Sequence, residues 1–306
     1  MTAFDTLLKT LKTRPQTWLV TGNAGFIGSN LVEFLLAHGQ KVVGLDNFDS
    51  FYDPGMKREN LAAALDDPEF TLVEGDIRDR DLLDRICSGT SFRLVVHLAA
   101  RAGVRPSIEN PELYTSVNLV GTTALLEACR RHGIRRFVFG SSSSVYGNNA
   151  KVPFAEDDPV DHPISPYAAT KKAGEVLCHA PHHLFGLEVA CLRFFTVYGP
   201  RQRPEMAIHQ FTRSIAAGSP IQQFGDGSSA RDYTYIDDIV EGILAAMENL
   251  SGYHVWNLGG SRTVTLSRLI ELISDRLGRE PRIETKPMQP GDVDRTWADT
   301  TRSRAD

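Results

Sequence analysis

A tyrosine and a lysine four residues apart, Tyr167 and Lys171 in "SPYAATKKAGE", share one face of a predicted helix. A phenol of ordinary pKa, ~10, is a weak base at neutral pH, and a neighbouring positive charge favours its phenolate. Such a pair is suited to taking a proton from a substrate hydroxyl. Ser142 stands 25 residues upstream of Tyr167, in "FGSSSSVYG", where four serines, Ser141 to Ser144, follow a β-branched and aromatic run. A tyrosine-lysine spacing of this kind is common by chance. It takes its meaning from what precedes it.

What precedes it is a glycine triplet. "TGNAGFIG" carries Gly22, Gly25 and Gly28 between a predicted strand and a predicted helix. The first glycine allows a tight turn, the second lets the backbone approach a pyrophosphate, and the third lets the helix sit close to the sheet. The helix N-terminus then offers N–H groups and a positive dipole to phosphates. Asp46 ends the second strand, 18 residues after Gly28, and is placed for the adenosine ribose hydroxyls. It would repel a 2′-phosphate, which favours NAD over NADP. Asp76 ends the third strand and is a candidate for the adenine amino group. The candidate cofactor contacts are Gly22, Gly25, Phe26, Ile27, Gly28, Asp46, Asn47, Asp76, Ile77, Leu98, Ala99 and Ala100, with Tyr167 and Lys171. No metal is called for.

These residues need a frame. Apolar runs at 17–22, 41–46, 70–76, 92–100, 135–142 and 187–195 read as strands. Helical patterns lie between them at 26–39, 79–88, 111–132 and 165–184. Strands alternating with helices imply βαβ units, and almost wholly apolar strands imply a sheet covered on both faces. The fold class is therefore α/β, a Rossmann-type doubly wound parallel sheet. After about residue 195 prolines and glycines cluster, with helices expected near 205–217, 236–248 and 265–277. The division read from this change is a dinucleotide-binding domain over 1–195 and a smaller α/β substrate-binding portion over 196–306. An amphipathic lead-in helix is expected within 1–15, with no signal-peptide pattern.

The bulk composition excludes several classes. A net charge of −5 argues against a broad nucleic-acid surface. No apolar run reaches the ~20 residues that span a bilayer, so the expectation is a cytoplasmic protein. Cys87, Cys129, Cys178 and Cys191 lack paired spacing and read as free buried thiols. His179, His182 and His183 cluster at a helix end without supporting acids or thiols, which reads as surface rather than metal.

The chain resembles the extended short-chain dehydrogenase/reductases, and within them the NAD-dependent nucleotide-sugar epimerases, over nearly its whole length. Blocks similar to UDP-glucuronate 4-epimerases are "LDNFDSFYDPGMKRENL", "RAGVRPSIENP", "RFFTVYGPRQRPEMA" and "RDYTYIDDIVEGI". The resemblance implies transient oxidation at sugar carbon 4 with bound NAD, rotation of the 4-keto sugar, and reduction from the opposite face. It makes Tyr167 the base, Ser142 its proton-bridging partner and Lys171 a holder of the nicotinamide ribose. Ser143, Ser144 and Thr196 become candidate ligands of a sugar carboxylate, with Arg203 beside it. Arg231 is the candidate diphosphate ligand, Asp292 a candidate near the uridine ribose, and Ser141 structural.

Related dehydratases and decarboxylases resemble "STDEVYG" and "STSEVYG" at the serine loop. Here serines stand in place of those acids, which disfavours elimination or decarboxylation. Arg101 and Arg201 depart from the epimerase pattern, and Thr296 aligns with a pocket position where a tyrosine narrows the site for UDP-glucose. UDP-N-acetylglucosamine or UDP-glucose remain alternative substrates, and a non-catalytic NAD-binding scaffold is the alternative of another class. The helices at 111–132 and 165–184 carry apolar stripes that suit a homodimer.

Overall fold

The computed structural model describes residues 3–289 and 291–306, with side chains from residue 7 onward. The first two-thirds run α1 (Ala3–Thr13), β1 (Thr17–Thr21), α2 (Phe26–Ala37), β2 (Lys41–Asp46), α3 (Pro54–Asn60), α4 (Ala62–Leu65), β3 (Phe70–Glu74), α5 (Arg80–Gly89) and β4 (Leu94–His97). Then come α6 (Val104–Glu109), α7 (Pro111–Thr115), a π-helical turn Ser116–Gly121, α8 (Thr122–Arg131), β5 (Arg136–Ser142), a 3-10 turn Ser143–Tyr146, α9 (Pro166–Phe185) and β6 (Glu188–Phe194). The remainder is β7 (Thr196–Tyr198), α10 (Ala207–Ala216), β8 (Ile221–Phe224), β9 (Ala230–Tyr235), α11 (Ile236–Glu248), β10 (Tyr253–Leu258), β11 (Thr263–Thr265), α12 (Leu266–Leu277), β12 (Ile283–Lys286) and α13 (Thr301–Ala305).

Seven strands form one parallel sheet in the order β10-β6-β5-β4-β1-β2-β3. This is the Rossmann-type arrangement expected. The chain winds outward from β1 through β2 to β3, then returns to β4 on the other side. A crevice opens at that switch point, outside the carboxyl ends of β1 and β4. Side chains along each strand alternate between two apolar layers. Trp18, Val20, Val96, Val138 and Leu192 join the layer under α2 and α11. Leu19, Val95, Phe137, Phe139 and Cys191 join the layer under α5, α8 and α9. All four cysteines are free and buried, as the sequence suggested.

The boundary at 195 does not divide the molecule in space. β10, well beyond it, pairs with β6 from Tyr253↔Val189 to Leu258↔Phe194 and is the outermost strand of the main sheet. Buried Ile236, Ile239, Ile243 and Leu244 of α11 complete the layer that covers α2. The physical reason is coverage: without α11 the apolar face of β1, β4 and β5 would meet water. The rest is a three-stranded sheet β11-β9-β7, the pair β12-β8, and α10 packed on α12 through Phe211, Ile215 and Ile270. α1 matches the expected lead-in helix, with Leu7 and Leu11 buried. No described helix is long and apolar enough to cross a membrane.

A buried polar chain pins α9 to the sheet. Glu175 on α9 and Arg193 on β6 pair with their forks aligned, Nε to Oε1 and Nη2 to Oε2 both at 2.9 Å. Ser141 donates to Glu175 Oε1 at 2.7 Å, so its role is structural, as expected. Arg193 also donates to Tyr146 Oη at 2.9 Å, and that hydroxyl donates to Asn257 Oδ1 of β10 at 2.7 Å. Removing one member of a buried pair leaves the other charge uncompensated, at a cost of about 3–5 kcal/mol. Glu175→Gln is therefore expected to lower the free energy of urea unfolding by about that amount. A loss under about 1 kcal/mol would mean that Arg193 finds compensation elsewhere.

Candidate active site

The carboxyl end of β1 turns at once into α2. Gly22 sits at φ +74, a left-handed conformation that glycine adopts freely, and a Cβ there would lie 2.6 Å from the Ala99 nitrogen. A Cβ on Gly28 would lie 2.2 Å from the Gly22 carbonyl oxygen. The turn is thus as tight as backbone allows on both flanks. α2 starts with no side-chain cap and no acid in its first turn, which leaves its N–H groups for an anion. A side-chain-free cradle ending in an uncapped helix fits a dinucleotide diphosphate.

Asp46 ends β2 beside this turn. Its carboxylate accepts from the Ala24 amide at 3.1 Å and the Phe48 amide at 2.9 Å, and burial raises its pKa against those bonds. It lines a cavity of ≈ 410 Å³ at the sheet's carboxyl edge. The same cavity gathers Gly22, Gly25, Phe26, Ile27, Gly28, Asn47, Leu98, Ala99 and Ala100 from the cofactor candidates. Asp76 and Ile77 are not brought to its lining. The Asp76 carboxylate is held by Arg78 at 2.7 Å and by Asn47 at 3.1 Å, which draws its pKa down, and Ile77 is buried against Gly121.

The cavity also receives Ser142, Ser143, Ser144, Tyr167, Lys171, Thr196 and Arg203. Ser165 caps α9 by accepting from the Ala168 amide at 3.1 Å, and this fixes the first turn that carries Tyr167. Ser142 caps the following 3-10 turn through the Ser144 amide at 3.2 Å and donates to Ser144 Oγ at 3.1 Å. Lys171 Nζ donates to the Gly140 carbonyl at 2.7 Å, 6.0 Å from the Tyr167 ring centre. Burial lowers the lysine to about 8.

Tyr167 itself departs from the expectation of a lowered pKa. Burial raises it, and the forces working against that rise are the Ser142 hydroxyl and the Arg203 charge rather than Lys171. Arg231 and Asp292 lie outside the lining of this cavity. Arg231 donates to the Ala230 and Asp294 carbonyls at 3.0 and 3.4 Å, beside a second cleft that Asp294 and Arg295 line. Asp292 is paired with Arg105 at 2.9 Å. Thr296 lines neither cleft: it is buried, and its hydroxyl accepts from the Asp232 amide at 3.2 Å.

The structure adds residues that sequence reasoning did not place. Asp49, Phe51, Tyr52 and Lys57 line the cavity from the segment after β2, and burial pushes the Tyr52 phenol up to about 12. The signal for them was the aromatic pair "FY" flanked by Asp49 and Asp53 in a loop directly after a sheet strand. Of the two unusual arginines, Arg101 faces the cavity, whereas Arg201 turns away to pair with Glu33 on α2.

A neutral histidine props the β4 side of the site. His97 Nδ1 meets Thr21 Oγ1 at 2.7 Å and Nε2 meets Thr122 Oγ1 at 2.9 Å, and burial lowers its pKa to about 3. In the unfolded chain it titrates near 6.5. Its contribution is complete above that pH and is lost as pH falls towards about 3, since the unfolded state then binds a proton that the folded state refuses. Urea unfolding is expected to lose about 2 kcal/mol between pH 7 and pH 5 through this residue. His97→Gln should flatten the slope; an unchanged slope would assign it to other groups.

Residues 18–259 match the model of the NAD dependent epimerase/dehydratase family. A UDP-glucuronate 4-epimerase of Thermodesulfobacterium geofontis is 43% identical over 288 residues, 94% of this chain and 88% of that one. UDP-glucuronic acid 4-epimerase from Bacillus cereus, solved with UDP-glucuronic acid and NAD, superposes with a TM-score of 0.89 at 36% identity, covering 94% of this chain and 92% of its own. DesIV, a dTDP-glucose 4,6-dehydratase from Streptomyces venezuelae solved with NAD and TYD, gives the same TM-score at 32% identity, covering 95% and 90%. The backbone is therefore shared across different reactions, and side chains must carry the distinction.

Proposed function

The chain belongs to the NAD-dependent epimerase/dehydratase family as a nucleotide-sugar epimerase, and from that footing we propose that it interconverts UDP-glucuronate and UDP-galacturonate at carbon 4. The observation that carries this reading is the loop after β5. It brings Ser142, Ser143 and Ser144 to the cavity with Tyr167, Lys171 and Thr196, and the stretch from Ser141 to Gly147 has no carboxylate. The similarity to enzymes named for this activity supports it.

The chemistry explains why neutral hydroxyls suit the task. Oxidising a uronate at carbon 4 places a ketone β to its carboxylate, an arrangement that readily loses carbon dioxide. The site must hold the carboxylate without helping it leave. Serine and threonine hydroxyls donate to it without placing an acid at the reacting carbons. Arg203, which also lines the cavity, adds a fixed positive charge.

When bound, NAD supplies the reversible oxidation at carbon 4. Tyr167 takes the proton of the 4-hydroxyl and returns it, with Ser142 bridging the two oxygens. A half-buried phenol with a raised pKa returns that proton readily, and the Arg203 charge keeps its anion accessible. Lys171, lowered to about 8, stays largely cationic at neutral pH and is placed to hold the nicotinamide ribose. Asp46 takes the adenosine ribose and the glycine turn takes the diphosphate. Arg231 and Asp292 are assigned to the nucleotide end of the substrate. We assign the two-fold contact of a homodimer to α9 and to α7, the π-helical turn and α8, where Val176 is 58% and Val120 48% exposed.

A panel of UDP-sugars incubated without added NAD tests substrate and reaction together. UDP-glucuronate is expected to give UDP-galacturonate by NMR, without release of carbon dioxide. Rapid epimerisation of UDP-glucose or UDP-N-acetylglucosamine with none of UDP-glucuronate would replace this substrate. Tyr167→Phe should lower kcat at least about 100-fold, the scale of a proton-transfer group. Normal turnover would remove Tyr167 from the role of base. Val176→Arg should shift sedimentation equilibrium from dimer to monomer, and an unmoved dimer would place the interface elsewhere.

A further inference from the structure

Arg101 and Asp49 form an ion pair between two loops that belong to different strands. The sheet order fixes where that pair stands. β1 lies between β2 and β4. Asp49 comes three residues after the end of β2, and Arg101 four after the end of β4. Joined side chains from these two loops must pass over the carboxyl end of β1, where the glycine turn begins. Both residues line the same cavity as Gly22 and Gly25.

Each end of the pair is anchored. Asp49 Oδ1 also accepts from the Phe51 amide at 2.8 Å, and the Asp49 carbonyl accepts from Lys57 Nζ at 2.7 Å. The Arg101 amide donates to Asn118 Oδ1 at 2.7 Å, and its carbonyl accepts from Asn118 Nδ2 at 3.0 Å. Phe51 spans the gap, its ring centre 5.1 Å from the Arg101 guanidinium. The Arg101 side chain is 17% exposed. Its Nε is buried and has no hydrogen-bond partner. A guanidinium engaged by a carboxylate on one edge keeps a further N–H for a second acceptor. The groove beneath takes a dinucleotide with an anionic diphosphate.

We propose that the Arg101–Asp49 pair is a strap that closes over bound NAD and sets how long the cofactor is retained. Arg101 is a positioning residue here, and the inference rests on NAD binding, not on the identity of the sugar. The reaction cycle gives the strap its purpose. A cofactor that returns to its starting state within one turnover must not leave between the two halves. Two anchored loops joined through Arg101, by the ion pair and by the Phe51 ring, open only when those contacts break, so release is governed at one point.

The test follows exchange of the bound cofactor. Protein purified with NAD is mixed with excess isotopically labelled NAD, and the bound nucleotide is desalted and weighed by mass spectrometry over time. R101Q and D49N are each expected to exchange at least about tenfold faster than the parent, an effect on the dissociation rate. The charge-exchanged variant D49R/R101D should return to within about threefold of the parent rate. Exchange within about twofold of the parent in both single variants overturns the proposal. So does fast exchange in R101Q with parental exchange in D49N, since Arg101 would then act alone on the phosphates. Should R101Q not fold, R101K, which keeps the charge but not the fork, is read in its place. At least about threefold faster exchange is then expected, and parental exchange overturns the strap.

Discussion

The site depends on one buried ion pair that never touches substrate. Glu175 and Arg193 meet in the interior, and through them α9 is tied to β6. The same helix carries Tyr167 and Lys171 two turns and one turn earlier. Ser141 joins the pair from β5, one residue before Ser142. The spacing between Ser142 and Tyr167 is therefore set from below by Glu175. A buried charge pair contributes little net stability over an apolar substitute, but it admits one geometry. For chemistry that needs two oxygens at a fixed separation, that exclusiveness matters more than the free energy.

A second layer of control lies in how burial treats the titratable groups. Lys171 and His97 are buried and Tyr167 half-buried, and desolvation pushes each towards its neutral form. For His97 this removes a charge that would otherwise compete beneath the site. For Tyr167 it leaves Arg203 and Ser142 to favour the anion. The positive partner of the phenol thus comes from the segment beyond β7, not from the tyrosine's own helix.

Much of this was legible in the residues. The six strands from Thr17 to Phe194 are nearly continuous apolar runs because helices cover both faces, and that pattern has few other readings. The glycine turn was readable because Gly22 and Gly28 answer to steric demands that no other residue meets. A short strand was expected between α11 and α12, but its place at the edge of the main sheet was not readable. "YHVWNL" mixes polar and apolar residues, and its partner β6 lies some 60 residues earlier, so only the finished sheet reveals it. The cavity roles of Asp49, Tyr52 and Arg101 were hidden for a similar reason: each stands on a loop whose meaning comes from its neighbour strand. Asp76, Asp292 and Thr296 show the reverse. Sequence position suggested what each could face, but not that Arg78, Arg105 and the Asp232 amide would engage them within the folded chain.

The return of β10 to the main sheet bears on modularity. A chain cut after residue 195 would leave the hydrogen-bonding edge of β6 open to other molecules, an invitation to sticky strand-to-strand association. It would also strip α11 from the layer over α2. The dinucleotide half is thus not a cassette that could be lifted out and joined to a different partner. A change in the cavity lining therefore has to arise within short stretches such as Ser142–Ser144, with both halves of the chain in place.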